Sequence, residues 1–321
     1  MRPPSRADGR EQGQSDPAFI LQGAQLARLR RMSTFLGVVA DAQGENLIIN
    51  TMYYHDVSSD KRAEIGVIGG TGVYDPEMLE DRRDVKVYTP YGAPSDMITL
   101  GVIKGRRIAF LPRHGGGHMI PPHMINSRAN IWALKELGVR QIVASSAVGS
   151  LREDYKPGDF VLTDQFIDRT KNRPDTFYEG GQLCHISSAD PICPTLHDFF
   201  CKYAKKVRLP VHEKGTYVCI QGPRFSTRAE SKLFRQWGCD IIGMTLYPEV
   251  ILAKEAEMCY VSIAMVTDYD VWAEKPVTSD QVVETMKGNA VNFKKLIMGA
   301  LPDLPKERSC GCCDALKFAL L

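Results

Sequence analysis

The segment AEIGVIGGTGVY, residues 63–74, joins an apolar run directly to a glycine-rich turn. Its residues Ile65, Val67 and Ile68 predict a strand that is buried on both faces, because continuous apolar strands are typical of covered parallel sheets. Similar short runs follow, namely RRIAFL, RQIVASSAVGS, GDFVLTDQFI, GTYVCIQG, CDIIGMT and CYVSIAMVTDYD. Helical patterns such as NSRANIWALKELGV and STRAESKLFRQWGC lie between several of them. This alternation predicts an α/β fold, a single domain in which helices flank a central mixed, mainly parallel β-sheet.

The chain divides into three regions by composition. Residues 1–61 begin with the polar segment MRPPSRADGREQGQSDP, which is typical of disorder, and we predict that they form a variable extension. Residues 62–305 contain the strand and helix patterns and are predicted to form the folded domain. Residues 306–321 form a short tail that contains the segment SCGCCD and ends in the helical pattern DALKFALL.

Charge and hydropathy argue against two classes of protein. The net charge of the 321 residues is +2, which disfavours nucleic-acid binding through a broad basic face. No apolar run reaches the roughly 18 residues of a membrane-spanning helix, so we expect no membrane span. With 44% hydrophobic and 24% charged residues, the composition is that of an ordinary globular protein, and we expect it in the cytoplasm.

The turn after the first apolar run favours an anion. Gly70 and Gly72 allow backbone N–H groups to converge on an oxyanion, and Thr71 adds a hydroxyl donor. Asp75 stands where the dinucleotide fingerprint requires its third glycine, and no Gly-Lys-Ser/Thr sequence follows as in a P-loop. The turn therefore indicates an oxyanion or phosphate site, with a plain tight turn as the alternative.

Polar residues at the ends of other apolar runs are further candidates, because ligands of parallel sheets bind at the carboxyl ends of strands. The segment LPRHGGGHMIPPHMIN, residues 111–126, holds one arginine, three histidines and three consecutive glycines. By itself it is compatible with a metal site, an oxyanion hole or a cradle for an anion. The run RQIVASSAVGS contains Ser145 and Ser146, whose hydroxyl groups suit phosphate, although a plain exit from the strand is the alternative.

Two carboxylates follow the last apolar run. Asp268 and Asp270 are two residues apart, so in an extended chain they point to the same side. Neighbouring carboxylates resist joint ionisation, which predicts a raised pKa for one of them and hence one proton donor and one acceptor. A solvated turn or a cation site is the alternative. Phe225 stands beside a helix start, where it could stack on a base, although a core phenylalanine is the default.

Several long motifs together carry a resemblance to a known family. They are IGVIGGTGVYDPE, YGAPSDMITLG, PRHGGGHMIPPHMINSRANIWALKELGV, ASSAVGSLREDYKPGDFVLTDQFIDRT, GPRFSTRAES, IIGMTLYPEVILAKEAEMCY and AMVTDYDVW. Over residues 63 to 300 the chain resembles the S-methyl-5′-thioadenosine phosphorylases, which belong to the trimeric branch of purine nucleoside phosphorylases. The cysteine-bearing tail is similar to that of members from thermophilic archaea.

The resemblance implies a pentosyltransferase that converts S-methyl-5′-thioadenosine and phosphate to adenine and 5-methylthioribose 1-phosphate, in purine and methionine salvage. It implies a nucleoside phosphorylase-like fold, a homotrimer or homohexamer, and no metal or organic cofactor beside the co-substrate phosphate. An anion cradle then becomes the favoured interpretation of residues 111–126. A metal site is disfavoured because three glycines oppose the helix that could bring His114 and His118 together. An oxyanion hole is disfavoured because the chain has no G-x-S-x-G nucleophile elbow.

The family pattern assigns a phosphate site to this chain. The residues expected around the phosphate are Thr71, Arg113, His114, Ser146, Ala147 and Thr245. Arg113 is expected to offer a bidentate fork to the anion. Ser146 stands where relatives often carry threonine, a change that keeps the hydroxyl group.

The resemblance also implies a nucleoside pocket. Its expected residues are Phe225, Ser226 and Ile242 at the base, Met244 at the ribose, Val282 and Val283 at the methylthio group, and His185 from a neighbouring subunit. Asp268 and Asp270 are expected to face N7 and the 6-amino group of adenine, with Asp268 as the proton donor. Gly243 stands where some relatives carry asparagine, which puts that contact in doubt.

The residue at position 268 predicts the preferred base. A carboxylate accepts from an exocyclic amine and repels a 6-oxo group, and relatives that prefer 6-oxopurines tend to carry asparagine where Asp268 stands. We therefore expect S-methyl-5′-thioadenosine as substrate. Adenosine is a candidate second substrate, because one small apolar contact discriminates by only about 1–3 kcal/mol. A methylthioinosine or broad-specificity purine nucleoside phosphorylase is the alternative.

The nine cysteines allow several interpretations. Cys310 and Cys312 are too close for an unstrained disulfide, although a strained, redox-active one could form. A zinc site at Cys310, Cys312 and Cys313 lacks an obvious fourth ligand. The resemblance to thermophilic members makes Cys193 and Cys259 candidates for a bridge. We expect stabilising disulfides, with free buried thiols as the alternative.

Overall fold

The computed structural model describes residues 62–70, 76–273 and 279–321, together with two short strands earlier in the chain. These strands, β1 (Val38–Ala40) and β2 (Asn46–Ile48), pair antiparallel with each other. They belong to one compact unit, residues 1–56, and the rest of the chain forms a second unit. The remainder of the predicted extension, residues 1–61, lies outside the described residues, and its disorder stays a prediction.

Eleven strands form one sheet in the described part of the second unit. They are β3 (Ile65–Gly69), β4 (Glu80–Val85), β5 (Ile98–Ile103), β6 (Arg106–Pro112), β7 (Gln141–Ser150), β8 (Phe160–Leu162), β9 (Gln165–Arg169), β10 (Val211–His212), β11 (Thr216–Ile220), β12 (Ile241–Gly243) and β13 (Cys259–Asp268). The main order is β10-β8-β13-β7-β3-β6-β5-β4, and β12, β11 and β9 branch from β7. The central strands β13, β7, β3 and β6 pair in parallel, whereas β4, β5, β8 and β12 make antiparallel pairs. The predicted mixed, mainly parallel sheet is confirmed.

Five α-helices accompany the sheet in the described residues. They are α1 (Ser127–Glu136), α2 (Pro194–Lys206), α3 (Arg228–Gln236), α4 (Leu246–Glu255) and α5 (Ser279–Asp303). Helix α3 begins with a capping box: Thr227 Oγ1 accepts from the Glu230 N–H at 3.1 Å, and the Glu230 carboxylate accepts from the Thr227 N–H at 2.7 Å. These bonds satisfy two N–H groups that a first helical turn leaves unpaired. None of the described helices is both long enough and apolar enough to cross a bilayer.

The core lies where the central strands meet helices α2 and α5. Strand β3 is buried along its whole length, as its continuous apolar sequence predicts. Phe200 of α2 and Phe293 of α5 are fully excluded from solvent and pack in one cluster with residues of β3, β6 and β13. Full burial of such a side chain contributes about 1.5–3 kcal/mol. This packing fixes the positions at which the central strands end.

The C-terminal tail returns to the unit that carries the sheet. Gln141 donates from Nε2 to the carbonyl of Pro305 at 3.0 Å, and Arg308 donates from Nη1 to the carbonyl of Glu257 at 2.7 Å. Near the end of the chain, the carbonyl of Ala319 accepts from the N–H of His185 at 2.7 Å. The tail is therefore tied to the folded domain at several points along its length.

The predicted disulfides are not formed in this structure, because all nine cysteines are free thiols. The Sγ atoms of Cys193, Cys259, Cys310 and Cys312 lie within 4.8 Å of one another. Cys193 and Cys259 thus share their space with two further thiols instead of forming a closed pair. The predicted lack of a further partner for the tail cysteines does not hold, since the folded domain brings two thiols to Cys310 and Cys312. Cys313 is not part of this group, and its Sγ lies 3.6 Å from the carbonyl of Cys310.

Candidate active site

The ends of the central strands enclose one cleft. Gly70 follows β3, Arg113 follows β6 and Asp268 ends β13, while the second half of β7 runs between them. The cleft is open at its mouth and has a cavity volume of about 200 Å³. Its lining consists of Gly70, Arg113, His114, His118, Pro122, Ser146, Ala147, Val148, Gly149, Ile220, Phe225, Ser226, Ile242, Gly243, Met244, Thr245, Thr267, Asp268, Asp270 and Val282.

This lining includes most of the residues that the sequence predicts for one site. They are Arg113, His114, Ser146, Ala147, Thr245, Phe225, Ser226, Ile242, Met244, Asp268, Asp270 and Val282. Thr71 lies in the segment 71–75, outside the described residues. The structure thus brings the predicted phosphate and nucleoside residues together, and their individual roles stay predictions.

Two predicted residues do not line the cleft of their own chain. Val283 is 49% exposed, whereas its neighbour Val282 faces the cleft. Successive residues of an α-helix differ in direction by about 100°, so α5 turns only one of the two valines toward the cleft. His185 is exposed and lies outside the cleft. Its action in a neighbouring subunit stays a prediction.

Arg113 is buried against an acidic partner that the sequence analysis does not identify. Its Nε and Nη2 donate to the two carboxylate oxygens of Glu249, each at 2.8 Å, and its Nη1 donates to the Ser145 carbonyl at 2.7 Å. Glu249 also accepts from the Tyr260 hydroxyl at 2.6 Å. Burial opposes the charge of the guanidinium most strongly. The charge and hydrogen bonds of Glu249 together outweigh burial, so the pKa of Arg113 is raised.

This pairing restricts the prediction that Arg113 offers a bidentate fork to an anion, because the edge formed by Nε and Nη2 is taken. Glu249 occupies the fork, because a guanidinium buried this deeply requires a charged partner. A guanidinium has five N–H groups, and the described residues engage one on each of its three nitrogens. One N–H remains on Nη1 and one on Nη2, and a Cβ placed on Gly70 lies 3.7 Å from Nη1. Nη1 of Arg113 therefore lies close to Gly70, and Glu249 holds the guanidinium in orientation.

One hydroxyl group of the cleft has no partner in the described part of the fold. The Ser146 hydroxyl is buried and has no hydrogen-bond partner among the described residues. Thr245 precedes α4 without capping it, and its side chain interacts with the Tyr217 hydroxyl instead. A buried polar group left unpaired costs about 1–3 kcal/mol, so native structures rarely contain one without a reason. The Ser146 hydroxyl therefore suits a polar ligand in the cleft.

His114 is neutral at physiological pH. Burial of the imidazole lowers the pKa of His114 to about 4, although its hydrogen bond to the Ile120 carbonyl acts in the opposite direction. Nδ1 lies 2.8 Å from that carbonyl oxygen. Since a carbonyl only accepts, Nδ1 carries the proton and Nε2 has a free lone pair. The ring is thus an acceptor in the cleft, and it gains a second N–H donor once a nearby anion raises its pKa.

The carboxyl group of Asp268 is suited to hold a proton. Burial is the main cause of the raised pKa of Asp268, and the charge of Asp270 adds a smaller increase. Hydrogen bonds act against this shift, from Thr267 Oγ1 at 2.6 Å and from the Asp270 N–H at 2.8 Å. The direction agrees with the sequence prediction, but burial rather than the paired carboxylates dominates. A carboxyl group with a raised pKa can act as a general acid closer to neutral pH.

Asp270 reaches the cleft by a route that differs from the predicted one. Strand β13 ends at Asp268, and Asp270 adopts a φ of +49°, so the chain is not extended across the pair. The turn nevertheless places both carboxyl groups in the cleft. The Ser226 hydroxyl lies 2.7 and 2.8 Å from the two oxygens of the buried Asp270. Ser226 therefore orients Asp270 as well as bordering the cleft.

Two glycines permit close approaches at the same end of the cleft. A Cβ on Gly149 lies 2.9 Å from Oδ1 of Asp268 and 3.3 Å from Cβ of Asp270. A Cβ on Gly243 lies only 2.0 Å from the Tyr217 hydroxyl. The Tyr217 hydroxyl thus fills the space of a side chain at position 243. An asparagine side chain at position 243 would therefore collide with Tyr217 in this structure.

Two residues of the site lack a distinct signal in the sequence. Glu249 lies in the apolar run TLYPEVILA, where an acidic residue in a buried helix is the only sign of a charged partner. His118 is predicted only as part of the disfavoured metal site, but it lines the cleft, and its ring lies 4.1 Å from that of His114.

Known proteins of one family match most of the chain. A sequence profile of the phosphorylase superfamily matches residues 64–302. The S-methyl-5′-thioadenosine phosphorylase of Thermofilum pendens is 58% identical over 261 residues, which cover 81% of this chain and 100% of that relative.

Two solved structures share the fold over most of the chain. A methylthioadenosine phosphorylase from an Antarctic soil metagenomic library superimposes with a TM-score of 0.77 at 46% identity, covering 81% of this chain and 93% of that one. The methylthioadenosine phosphorylase of Schistosoma mansoni, in complex with adenine, gives a TM-score of 0.76 at 39% identity. That match covers 80% of this chain and 96% of the other.

Proposed function

The chain belongs to the S-methyl-5′-thioadenosine phosphorylases of the phosphorylase superfamily, and from this premise we propose that it cleaves S-methyl-5′-thioadenosine with phosphate. The products are adenine and 5-methylthioribose 1-phosphate, so the enzyme is a pentosyltransferase. One observation carries the proposal. A single cleft combines unused N–H and hydroxyl donors at Arg113 and Ser146 with a carboxyl group of raised pKa at Asp268.

The phosphate binds between the glycine-rich turn and the end of β6. The free N–H groups of Arg113 and the unpaired hydroxyl of Ser146 donate to its oxygens, and Thr245 supplies a further hydroxyl. Because Glu249 already neutralises Arg113, the site binds phosphate chiefly through oriented hydrogen bonds. Protonation of His114 on binding supplies part of the positive charge that a dianion attracts.

The purine binds at the other end, next to Asp268. Strand register places Asp268 opposite Gly149 of β7, three residues beyond Ser146. At a rise of ~3.3 Å per residue this is a separation of about 10 Å along β7. A sugar held between the two ends presents C1′ to the phosphate on one side and the base to Asp268 on the other. Orientation of the two reactants in one cleft lowers the barrier by removing the entropy cost of their encounter.

In the proposed reaction the bond between C1′ and N9 breaks, and its electron pair stays with the purine. Asp268 gives its proton to N7, so adenine leaves as a neutral molecule. A phosphate oxygen forms the new bond to C1′ from the opposite face, and its negative charge stabilises the positive charge that develops on the sugar. The proton of hydrogen phosphate is released to solvent, from which Asp268 is protonated again.

Specificity for a 6-aminopurine follows from the same carboxyl groups. A carboxylate accepts from the 6-amino group but repels a 6-oxo oxygen, and Ser226 fixes Asp270 for this contact. Phe225 at the rim and Val282 of α5 supply apolar surface for the base and the methylthio group. A preference for methylthioinosine is not favoured, because inosine-type bases offer no amine at this position.

The proposed reaction uses phosphate as co-substrate and no metal or organic cofactor. We further propose that the chain acts as a homotrimer or homohexamer in the cytoplasm. The exposed position of His185 outside its own cleft supports its predicted contact with a neighbouring site.

A substrate panel tests the proposal. At saturating phosphate, kcat/KM is measured for S-methyl-5′-thioadenosine, methylthioinosine and adenosine by chromatographic detection of the free base. We expect the highest value for S-methyl-5′-thioadenosine and the lowest for methylthioinosine. A higher value for methylthioinosine contradicts the assigned base contacts of Asp268 and Asp270, while leaving the phosphate site intact.

A further inference from the structure

The four clustered cysteines come from three separate parts of the chain. Cys193 directly precedes α2, Cys259 is the first residue of β13, and Cys310 and Cys312 belong to the tail. Their Sγ atoms all lie within 4.8 Å of one another, and those of Cys259 and Cys310 are 3.3 Å apart. None of the four lines the cleft. The cluster is therefore a feature that the proposed reaction leaves unexplained.

The sulfur positions match a tetrahedral metal site better than two disulfides. Zinc binds thiolates at ~2.3 Å, and tetrahedral geometry then separates the sulfur atoms by about 3.8 Å. The observed spacing, 3.3 Å for one pair and below 4.8 Å for every pair, brackets that value. A disulfide requires an S–S distance of ~2.05 Å. In addition, Cys259 lies against Cys310 as well as near Cys193, so no two separate pairs stand out.

The surroundings of the cluster are those of a structural metal site. Cys193 and Cys259 are 2% and 1% exposed, and Cys310 and Cys312 are half-buried against the same core. Cys193 also stands at the amino end of α2, where its side chain caps no N–H group. The positive end of a helix favours a thiolate there. Shielding from solvent and four sulfur ligands are typical of closed zinc sites.

We propose that Cys193, Cys259, Cys310 and Cys312 bind one zinc ion as a tetrathiolate site that fastens the C-terminal tail to the folded domain. The four thiols lose their protons to solvent on binding, and no oxidant or reductant is required. Four protein ligands complete a tetrahedral shell, so the metal has no open position for substrate and its role is structural.

The site has a consequence for the segment that precedes α2. The tail beyond the cluster pairs with residues 183–185: the His185 N–H donates to the Ala319 carbonyl at 2.7 Å, and the Leu321 N–H donates to the Leu183 carbonyl at 3.1 Å. A metal that holds Cys310 and Cys312 therefore also holds the end of the tail, which pairs with residues 183–185. Loss of the metal is expected to loosen both segments while the central sheet persists.

Metal analysis of the whole protein tests the proposal. The chain is purified without chelator under anaerobic conditions, and its zinc content is measured by inductively coupled plasma mass spectrometry. We expect close to one zinc per chain in the wild type and in Cys313→Ser, the control from the same tail. We expect the Cys312→Ser variant to lose most of its zinc to a chromophoric chelator that leaves the wild type loaded.

Cobalt substitution and protein mass supply readouts that do not depend on activity. Cobalt added to the reduced, metal-free wild type should give the intense sulfur charge-transfer and tetrahedral ligand-field bands of a tetrathiolate, as should Cys313→Ser. In Cys312→Ser the charge-transfer intensity should fall. Two outcomes overturn the proposal: reduced protein that binds neither metal, or anaerobically purified protein whose intact mass shows two disulfides among these four cysteines.

Discussion

Replacing Gly149 with alanine places a methyl group against the proposed proton donor. The new Cβ lies 2.9 Å from Oδ1 of Asp268 and 3.1 Å from Cγ2 of Ile242. Ordinary contacts between such atoms are about 3.5 Å or longer, so the Asp268 carboxyl group has to move by about 0.6 Å. The φ of Gly149 is not in the left-handed region. The substitution therefore acts through this contact and not through backbone strain.

The displacement is large enough to impair catalysis. A misplacement of about 1 Å can lower a rate by about 100-fold, so a shift of this size should lower kcat by roughly 10- to 100-fold. Overpacking should also cost about 1–3 kcal/mol of stability. KM for phosphate should change little, because Gly149 lies about 10 Å along β7 from Ser146.

Steady-state kinetics with S-methyl-5′-thioadenosine, combined with urea unfolding, measures both effects. The matched control is Gly288→Ala in α5, where an added Cβ meets no atom within 4 Å. Its kcat should equal that of the wild type. Wild-type kcat in Gly149→Ala would refute the claim that the position of Asp268 limits the reaction. A selective rise in KM for phosphate would contradict the assignment of the two ends of the cleft.

Three further predictions address the charged groups of the cleft. Asp268→Asn should lose most activity on S-methyl-5′-thioadenosine and shift preference toward methylthioinosine, as compared by kcat/KM; unchanged turnover would remove Asp268 from the role of acid. Glu249→Gln leaves the guanidinium of Arg113 without its charged partner and should lower the free energy of unfolding by about 3–5 kcal/mol in urea titrations; a smaller loss than 1 kcal/mol would mean that the pair is not buried as described. His114, whose folded pKa of about 4 lies below its ordinary 6.5, binds its proton more readily in the unfolded chain. Stability should therefore fall as pH is lowered from about 6.5 to 4, by up to about 3 kcal/mol in phosphate-free buffer. His114→Gln should lack this part of the pH dependence, and phosphate should reduce it in the wild type.

The sequence contains enough information for the sheet and for the general location of the site. Continuous apolar runs such as that of Ile65 to Gly69 form buried central strands because no other environment accommodates them. Polar residues that follow such runs then converge, since the carboxyl ends of parallel strands share one edge of the sheet. Arg113, Ser146 and Asp268 accordingly lie in one cleft.

Contacts between distant segments are what the sequence does not reveal. Glu249 engages Arg113 across 136 positions of the chain, and no local pattern marks that partner. The hydroxyl of Tyr217 occupies the space at Gly243 for the same reason: the two residues meet only after β11 pairs with β12.

The cysteines illustrate the same limit for spacing arguments. Spacing in the tail suggests a zinc half-site at Cys310, Cys312 and Cys313 that lacks a fourth ligand. The proposed site instead joins two tail thiols to Cys193 and Cys259, which lie more than fifty positions away. Only the return of the tail to the core brings the four sulfur atoms together.

The exposure of Val283 has a different cause. Which of two adjacent side chains faces the cleft depends on how α5 is rotated on the sheet, and the sequence alone does not give that rotation.

The central claim is that the cleft holds phosphate at one end and a purine nucleoside at the other. The most direct test is the release of adenine from S-methyl-5′-thioadenosine by the wild-type protein, with and without phosphate, with the sugar product identified by phosphorus NMR. We predict release that depends on phosphate and yields a sugar 1-phosphate in equal amount to adenine. Adenine release without phosphate, with free methylthioribose as product, would show a hydrolase and contradict the phosphate site at Arg113 and Ser146.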